Sequence, residues 1–553
     1  MVAVAYCPGV TSILYRGGVV HSPADPFAEA LLVDDGVVAW LGADDTAAGF
    51  ASRADRVVDL DGALVTPAFV DSHVHVLETA FAGTGVDLSP TAGVRSLTEA
   101  LDRLAGAAKR LDAASGEVLS AHGWDETRWP EGRRFTRDEL DAACDGAPVY
   151  AARADVHSAV VTTTLAERFG LRSLDGWSED GHVLRDAHHR ARDAAREVSP
   201  ARRTALYRAV LEEAARRGVV AVHEMSAPSL DTREGLAELV ASTARADSGL
   251  PLVVGYRGEL CADADDARHL LATVPGLAGI GGDLNVDGSF GSRTAALRSP
   301  YADDPARGTG SLYLTAEQIC AHLVAVAAAG VGGGFHVIGD RAMDEFLLGL
   351  EIVAEVHGAA AVTGVRHRLE HALFVDARAL AELLVFGISL SVQPAFVGAW
   401  GGDAGMYAER VGPLRAAALS PLADLVSAGV PVALGSDSPV TPLDPWGAVR
   451  AATNHPQVEQ RVSARAAFNA HTRGGWRLSG HDGVGQLRVG APAHLAVWRA
   501  EHLTVQAAPR GLSSWSAEAR AGTPLLPDLS PDLEPPHCLQ TVRDGVVLHD
   551  ELG

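Results

Sequence analysis

The stretch VTPAFVDSHVHVLETA, residues 65–80, is an apolar, strand-like run that ends in two histidines one residue apart. Side chains two positions apart on a strand share a face, so His73 and His75 point the same way, and Asp71 lies on that face too. A buried strand normally fills such a face with Val, Ile or Leu. Because unpaired buried polar groups are costly, the pair is either two satisfied core histidines or two ligands of a metal ion.

The size and charge of the chain narrow the class of protein. A length of 553 residues suffices for two or three domains, or for one large barrel with additions. The net charge of −24 argues against a nucleic-acid partner and against an anionic membrane surface. We therefore expect the partner to be a small-molecule substrate.

Cysteine usage and the N-terminus predict a cytoplasmic protein. The cysteines are odd in number, scattered and free of any CxxC pair, which favours a reducing compartment. The N-terminal segment lacks the basic region of a signal peptide, and no apolar stretch is typical of a membrane span. The cysteines are Cys7, Cys144, Cys261, Cys320 and Cys538.

The middle of the chain alternates strand and helix patterns, which predicts an α/β fold, a (β/α)8 TIM-like barrel over residues 67–481. Helix starts are marked by Ser199-Pro200, by a capping box of Thr315 with Gln318, and by Ser420-Pro421. The predicted barrel strands are 68–75, 219–224, 251–257, 280–287, 332–338, 364–371, 388–393 and 431–437.

Two further regions do not follow this alternation. Short strands and turn signals at both ends predict a composite small β-sandwich domain made of residues 1–66 and 482–553. Residues of about 85–200 form an insertion after the first barrel strand, with helices and strands of their own. Because it follows the carboxyl end of a barrel strand, where active sites form, it is placed to cover a substrate.

Polar side chains recur at the carboxyl ends of the predicted strands, which a barrel brings to one mouth. Mixed imidazole and carboxylate ligands suit a divalent ion, zinc above all, with iron or manganese as alternatives. Ligand histidines usually donate to an acceptor from the other ring nitrogen, and Asp71 and Glu370 are candidates for that. The strand-end residues are His73, His75, His223, Glu224, Asp283, Asp287, His336, His371 and Asp437.

Each of these residues also has an ordinary structural interpretation. His336 fits a packed strand position, His371 a solvated basic run that includes His367, and Asp437 the N-cap of a turn. Taken together, their shared position at one end of the strands favours a metal site. The histidines without that placement are interpreted as structural or surface residues: His157, His188, His189, His322, His357, His481 and His494.

An ordered set of phrases resembles the amidohydrolase superfamily, in particular the amidohydrolase-3 branch of YtcJ-like proteins and N-substituted formamide deformylases. The resemblance runs from about Gly36 to about Trp498. It implies a metal-bearing barrel with a small β-sandwich. It also implies ligand roles for His73, His75, His336 and His371, with Asp437 as ligand and proton acceptor. The phrases are TPAFVDSHVH, GWDETRWPEGRRFTRDELDAA, VDGSFGSRTAAL, FHVIGDRAMD, RHRLEHALFVD, SVQPAF and GSDSPV.

One departure from that family concerns the fourth strand. Many relatives carry there a lysine whose carbamate bridges two metals, whereas Asp283 occupies the matching position here. The only lysine of this chain, Lys109, belongs to the insertion. Either Asp283 bridges two ions, or the site holds one ion. In the second case His336 and His371 are free to contact the substrate or to orient the ligands. Of the two, we prefer bridging by Asp283.

The expected reaction is hydrolysis of a non-peptide amide-type C–N bond by metal-activated water. Asp437 would accept the water proton and return it to the leaving nitrogen, while His371 or His336 would stabilise the oxyanion. The alternatives are an esterase or lactonase on the same site, and a catalytically degenerate binding protein. No motif for a serine hydrolase, a zincin helix, a dinucleotide site or a P-loop occurs in the sequence.

Substrate contacts are expected from aromatic and basic side chains near the mouth. Trp124 and Trp129 in the insertion, with Trp400 and Tyr407 after the seventh strand, are candidates for an apolar pocket. Arg293 either pairs with a substrate carboxylate or forms a structural salt bridge. Assembly into a homodimer is left open.

Overall fold

Eight parallel strands form a nearly closed barrel in the computed structural model, which describes residues 12–111, 117–506, 515–516 and 523–552. A parallel bridge between Val74 and Ser438 brings the last strand beside the first. The predicted (β/α)8 barrel is thereby confirmed. In chain order the barrel strands, called first to eighth below, are Phe69–Val74, Val219–Ser226, Leu252–Arg257, Gly279–Ile280, Gly332–Val337, Arg368–His371, Ser389–Val392 and Val432–Leu434.

Helices connect the barrel strands, and their apolar faces pack on the barrel in one large core. The Ser199 hydroxyl accepts from Arg202 N, and Thr315 forms the predicted capping box with Gln318. Ser420 is not an N-cap, because that helix starts one residue later than predicted. The connecting helices are Pro200–Arg216, Arg233–Thr243, Ala264–Thr273, Ala316–Ala328, Asp340–His357, Ala360–Thr363, Ala377–Val385, Pro394–Trp400, Met406–Val411, Pro413–Ala416, Leu422–Ala428, Pro445–Thr453, Ala464–Asn469 and Gly475–Leu478.

The fourth barrel strand is much shorter than the predicted 280–287, because two glycines turn the chain. Gly281 and Gly282 have φ values of 113° and 80°, in the region that favours glycine. A Cβ at Gly281 would collide with the backbone of Gly334 in the fifth strand. The chain then rejoins the sheet by pairing with His336, whose amide donates to Leu284 O at 3.1 Å. The turn sets Asp283 beside the end of the fifth strand.

Strands from both ends of the chain meet in a separate pair of sheets. One sheet joins Val19–Val20 and Leu64–Pro67 to Leu495–Arg499, His537–Arg543 and Val546–Asp550. The two sheets share an apolar core, as a sandwich requires, while the division at residues 66 and 482 stays a prediction. The other sheet consists of Ser12–Arg16, Ala30–Asp34, Val37–Gly42 and Arg56–Asp59, with the short helix Asp44–Ala47 beside it.

The insertion forms a sheet of its own that lies over the barrel mouth. Its strands are Val86–Asp87, Leu119–Trp124, Val149–Arg153, Ala159–Val161 and His182–Val183. Hydroxyl groups of Ser289 and Ser292, in the loop that follows the fourth barrel strand, donate to Asp155 of the insertion. Its helices, including the one that leads into it, are Val76–Thr84, Leu97–Ala108, Arg137–Ala143, Thr163–Arg168 and Arg185–Ala195.

Two further observations concern the predictions on membranes and cysteines. Among the described residues, none of the helices combines the length and apolarity that a membrane crossing needs. Cys144, Cys261, Cys320 and Cys538 are all free and buried, and Cys7 lies outside the described residues.

A small antiparallel sheet contains the remaining strands, which are Leu503–Gln506, Trp515–Ser516 and Leu526–Pro527.

The turn at Gly281 makes a testable prediction about stability. We expect Gly281→Ala to lower the free energy of unfolding by at least about 2 kcal/mol, because the new Cβ adds a collision to an unfavourable backbone conformation. Gly249→Ala is the matched control: its φ is 70°, but no atom lies within 4 Å of the new Cβ. That variant should lose about 1 kcal/mol. Equal shifts of the thermal unfolding midpoint in both variants would contradict this account of the fourth strand.

Candidate metal centre

Three buried side chains from the first and eighth strands converge at the barrel mouth. Asp437 Oδ1 lies 3.1 Å from His75 Nε2 and 3.3 Å from His73 Nε2, and the two Nε2 atoms are 3.4 Å apart. None of these side chains is more than slightly exposed to solvent. Among the described residues, no group donates a hydrogen bond to Asp437 Oδ1. A buried carboxylate oxygen without a donor requires a partner of another kind.

The other ring nitrogens of the two histidines determine which atoms face the cluster. His73 Nδ1 donates to Glu370 Oε2 at 2.7 Å, and His75 Nδ1 donates to Met225 O at 2.9 Å. Since a carboxylate and a carbonyl can only accept, both Nδ1 atoms carry the proton and both Nε2 atoms present a lone pair when the rings are neutral. Three electron-rich atoms therefore face one another, an arrangement that a cation between them stabilises.

Glu370 orients His73 and is itself held by Arg368. Arg368 Nε donates to Glu370 Oε1 at 2.5 Å, and its Nη1 contacts His223 Nδ1 at 3.0 Å. Burial alone would raise the pKa of Glu370, but Arg368 and His73 lower it below its usual value, so the group stays ionised. Asp71 does not take this role, because its Oδ1 accepts the backbone N–H groups of His73 and Ser436.

Asp283 lies between two groups of imidazoles. Its Oδ2 lies 3.5 Å from His75 Nε2, whereas its Oδ1 lies 3.1 Å from His336 Nδ1 and 3.7 Å from His371 Nε2. Each carboxylate oxygen thus faces a different set of ring nitrogens. This placement suits a carboxylate that bridges two ions, which is the alternative we prefer for the fourth strand.

Hydrogen bonds and backbone conformation fix His336 and His371. His336 Nε2 lies 3.3 Å from Gly288 O, and His371 Nδ1 lies 2.8 Å from the Gln393 side-chain oxygen. His371 and Asp437 have φ values of 69° and 53°, a region that residues other than glycine rarely adopt. Such strain persists only where the surrounding structure imposes it, and it concentrates at functional sites.

Three other strand-end residues are engaged elsewhere. Asp287 accepts backbone N–H groups of Ala296, Ile338 and Gly339 with both oxygens, so its carboxylate ties two loops together. Glu224 accepts from Val76 N at 2.7 Å, at the start of the helix Val76–Thr84 that follows the first strand. His223 belongs to the Arg368 network. None of the three belongs to a group of converging ligand atoms in the described part of the chain.

A cavity opens beside the cluster, and only some of the residues predicted to contact substrate line it. Trp400 and Tyr407 line it together with His336, His371 and Asp437. The rest of the wall is mostly apolar and comes from the loops after the fourth to eighth strands and from the insertion: Asp155, His157, Ser289, Phe290, Gly291, Ile338, Leu373, Phe396, Met406 and Val440.

Three residues predicted to contact substrate are not among those that line this cavity: Trp124, Trp129 and Arg293. Trp124 packs against Trp129 in the core of the insertion, and its Nε1 donates to Ala151 O at 2.9 Å. Arg293 pairs with Asp303 at 2.7 Å, which is the structural salt bridge considered as its alternative.

Two histidines were misinterpreted from the sequence. His367 is buried, not solvated, and its Nδ1 accepts from Gly333 N at 2.9 Å. It directly precedes the sixth strand, whose backbone pairs with the fifth. His157 lies at the cavity, with its ring centroid 5.2 Å from that of His336. The signal for His157 was weak, since it lies within the insertion, where no barrel pattern relates it to the mouth.

The donor set fits a divalent cation. Imidazole and carboxylate ligands in a small cluster are typical of zinc, iron or manganese sites. Two overlapping groups have ligand atoms within 4.8 Å of one another: His73, His75 and Asp437, and His73, Asp283 and His371.

Comparisons with known proteins agree with this geometry. The sequence profile of the amidohydrolase family matches residues 56–549. The N-substituted formamide deformylase of Arthrobacter pascens is 25% identical over 505 residues, which covers 85% of this chain and 90% of that protein. YtcJ of Bacillus subtilis strain 168 is 24% identical over 461 residues, which covers 79% of this chain and 83% of that protein.

A solved structure shows the same architecture. The uncharacterised metal-dependent hydrolase from Pyrococcus horikoshii OT3 aligns with a TM-score of 0.68 and 25% sequence identity. The alignment covers 88% of this chain and 97% of the archaeal one. The likeness therefore extends over nearly the whole fold and is not confined to the barrel.

The contact between Glu370 and His73 predicts an effect on metal binding. We expect Glu370→Gln to weaken affinity for a divalent ion by about 10- to 100-fold, because a neutral acceptor no longer favours the ligand tautomer of His73. Competition with a chromophoric chelator measures this affinity. Glu224→Gln, an equally buried change on the second strand that contacts no ligand ring, should change it by less than about threefold. If the Glu370 variant binds metal as tightly as the unaltered protein, the orienting role of Glu370 is wrong.

Proposed function

This chain belongs to the amidohydrolase family, and on that premise we propose that it hydrolyses a non-peptide amide-type C–N bond of a small molecule. The observation that carries the proposal is the convergence of His73 Nε2, His75 Nε2 and Asp437 Oδ1, with Asp283 beside them. Metal-dependent hydrolysis is the chemistry of the family, and the C–N bond class is the proposed refinement.

The residues divide into two ligand groups. His73, His75 and Asp437 would hold one divalent ion, for which zinc is the first choice. His336 and His371 would help to hold a second ion, with Asp283 bridging the two. When bound, such an ion polarises a carbonyl oxygen and makes water more acidic. Iron and manganese remain the alternatives.

Asp437 is the proposed proton acceptor. Burial alone would raise the pKa of Asp437, but positive charge on the neighbouring His73 and His75 rings lowers it well below its usual range, and a bound cation would favour the ionised form in the same way. The carboxylate is therefore ionised at neutral pH. Its side chain lines the cavity, so one oxygen can take a proton from the attacking water and return it to the leaving nitrogen.

His371 is the proposed stabiliser of charge on the substrate oxygen if only one ion is bound. Burial lowers its pKa, and the neighbouring His336 lowers it further, so the ring is neutral. Because Gln393 accepts from Nδ1, its Nε2 carries a lone pair that suits a ligand better than a donor. The geometry therefore favours the two-ion alternative over an oxyanion role.

The amide assignment is supported by the name of one similar protein, the N-substituted formamide deformylase. The wholly apolar side chains among the cavity residues favour a substrate with an apolar substituent. An esterase or lactonase on the same residues is the rival, since the same activated water serves those bonds.

The free, buried thiols agree with the cytoplasmic location predicted from the sequence.

Replacement of Asp437 tests its assigned role. We expect Asp437→Asn to lower kcat by about 10²- to 10⁴-fold, because an amide accepts no proton. Metal should stay bound, as elemental analysis would show, since His73, His75 and Asp283 remain and the side-chain oxygen of Asn can still coordinate an ion. Asp444→Asn is the matched control: this residue caps a helix in the same loop, and Asn caps a helix equally well. Unchanged turnover in the Asp437 variant would reject its role as base.

A substrate panel tests the bond class. Matched pairs of an N-substituted amide and the corresponding ester should be assayed with protein loaded with zinc. The proposal predicts hydrolysis of the amides, loss of that activity on chelation and its recovery when zinc is restored. Hydrolysis of esters and lactones alone would establish the rival function, and no hydrolysis with tightly bound metal would favour a binding protein.

A further inference from the structure

Buried ion pairs hold the insertion against the barrel loops. Arg153, in the insertion, lies 2.9 Å from Glu126, 3.2 Å from Asp125 and 3.4 Å from Asp155. Asp125 also accepts from Trp400 Nε1 at 3.0 Å, which ties the insertion to the loop after the seventh strand. Because these groups are buried, their charges must be balanced by close partners.

The network continues into the barrel loops and ends with an excess of negative charge. Arg410 pairs with Glu126 at 2.9 Å and with Asp303 at 2.5 Å, and Asp303 also pairs with Arg293. Three guanidinium groups thus face four carboxylates. One negative charge is left without a counterpart among the described side chains of this network.

Asp155 is the carboxylate of this network that lines the cavity. Its Oδ2 accepts from Ser289 Oγ at 2.5 Å and from Ser292 Oγ at 2.8 Å, and faces Arg153. Its Oδ1 is buried and accepts no hydrogen bond from any described residue. Asp155 is only 8% exposed and lines the cavity at the metal centre. A buried carboxylate oxygen without a donor is costly, so a donor from outside the chain would stabilise it.

The neighbouring residues do not supply that donor. Asp155 Oδ1 receives no hydrogen bond from the His157 ring, which lines the same cavity. Arg153 Nη1 lies 3.4 Å from the other oxygen of Asp155, and this positive charge favours the ionised carboxylate. The rest of the wall contains Phe290, Phe396 and other apolar groups. Besides Asp437 at the metal centre, Asp155 is the one carboxylate among the described residues that line this cavity, and it lies beside an apolar surface.

We propose that Asp155 Oδ1 is a substrate-binding group that accepts an N–H bond from a cationic nitrogen of the substrate. The inference deepens the proposed function and rests on it: the substrate is an amide with an apolar body and an amino or amidino group. The carbonyl of that amide faces His336, His371 and Asp437, and the cationic end reaches Asp155. An anionic substrate is disfavoured, because its charge would be buried beside a carboxylate.

Substrate entry requires the wall to move. The cavity offers about 30 Å³, room for a water molecule but not for an amide with an apolar substituent. The wall consists of insertion residues and barrel loops that meet through the network around Arg153. Separation of these parts admits the ligand, whose positive charge then balances the network when the wall closes.

The test is a binding measurement that does not depend on turnover. Benzamidine joins an aromatic body to a cation that stays protonated at neutral pH and donates N–H bonds. Isothermal titration calorimetry on the metal-loaded protein should show one benzamidine per chain. In Asp155→Asn the affinity should fall by about tenfold or more, because a charge-assisted hydrogen bond is lost.

Asp303→Asn is the matched control, since it removes a carboxylate of the same network that does not line the cavity. It should keep benzamidine affinity within about threefold, whatever its effect on the thermal unfolding midpoint. A purely structural Asp155 would instead give two variants with similar loss of stability and unchanged affinity, which would overturn the proposal. Absence of benzamidine binding to the unaltered protein would overturn it as well.

A second arm needs no variant and separates this inference from the proposed function. Phenylacetate has a similar aromatic body but a negative charge. In protein from which a chelator has removed the metal, phenylacetate should bind far more weakly than benzamidine. Benzamidine binding without hydrolysis of any amide would refute the proposed function and leave the Asp155 site standing. Amide hydrolysis that does not depend on the charge of the substrate would refute the Asp155 site and leave the proposed function standing.

Discussion

The metal centre consists of electron-rich atoms that repel one another at the barrel mouth. His73 Nε2, His75 Nε2 and Asp437 Oδ1 lie within 3.1–3.4 Å of one another, and each ring donates its proton away from the cluster. Without a proton or a metal ion between them, these buried atoms would destabilise the fold. With a divalent cation, the same atoms form an ordinary ligand set.

Hydrogen bonds from neighbouring strands hold the ligand side chains in place. Arg368 holds Glu370, Glu370 holds His73, and the Met225 carbonyl holds His75, so the ring orientations are set by groups on the second and sixth strands. The turn at Gly281 brings Asp283 to the same place. Because every group is fixed before a ligand arrives, little reorganisation is needed when an ion or a substrate binds.

The sequence predicted the barrel well, because apolar strands alternate with capped helices and the strand-end histidines share one face. It predicted less about side-chain partners. The pairing of Arg293 with Asp303 and the burial of Trp124 depend on contacts between distant segments, which a linear pattern does not contain. His157 and Asp155 lie in the insertion, where no periodic relation to the barrel exists. The fourth strand is shorter than the sequence pattern predicts, because Gly281 and Gly282 turn the chain after it.

Anomalous X-ray diffraction tests whether the histidines and carboxylates at the barrel mouth bind a metal ion. A crystal of protein grown with zinc, measured on both sides of the zinc absorption edge, should show a peak about 2.0–2.2 Å from His73 Nε2, His75 Nε2 and an Asp437 oxygen. A second peak between Asp283, His336 and His371 would show two ions. An anomalous map without a peak at the mouth, with the two histidine rings hydrogen-bonded to water, would contradict the account.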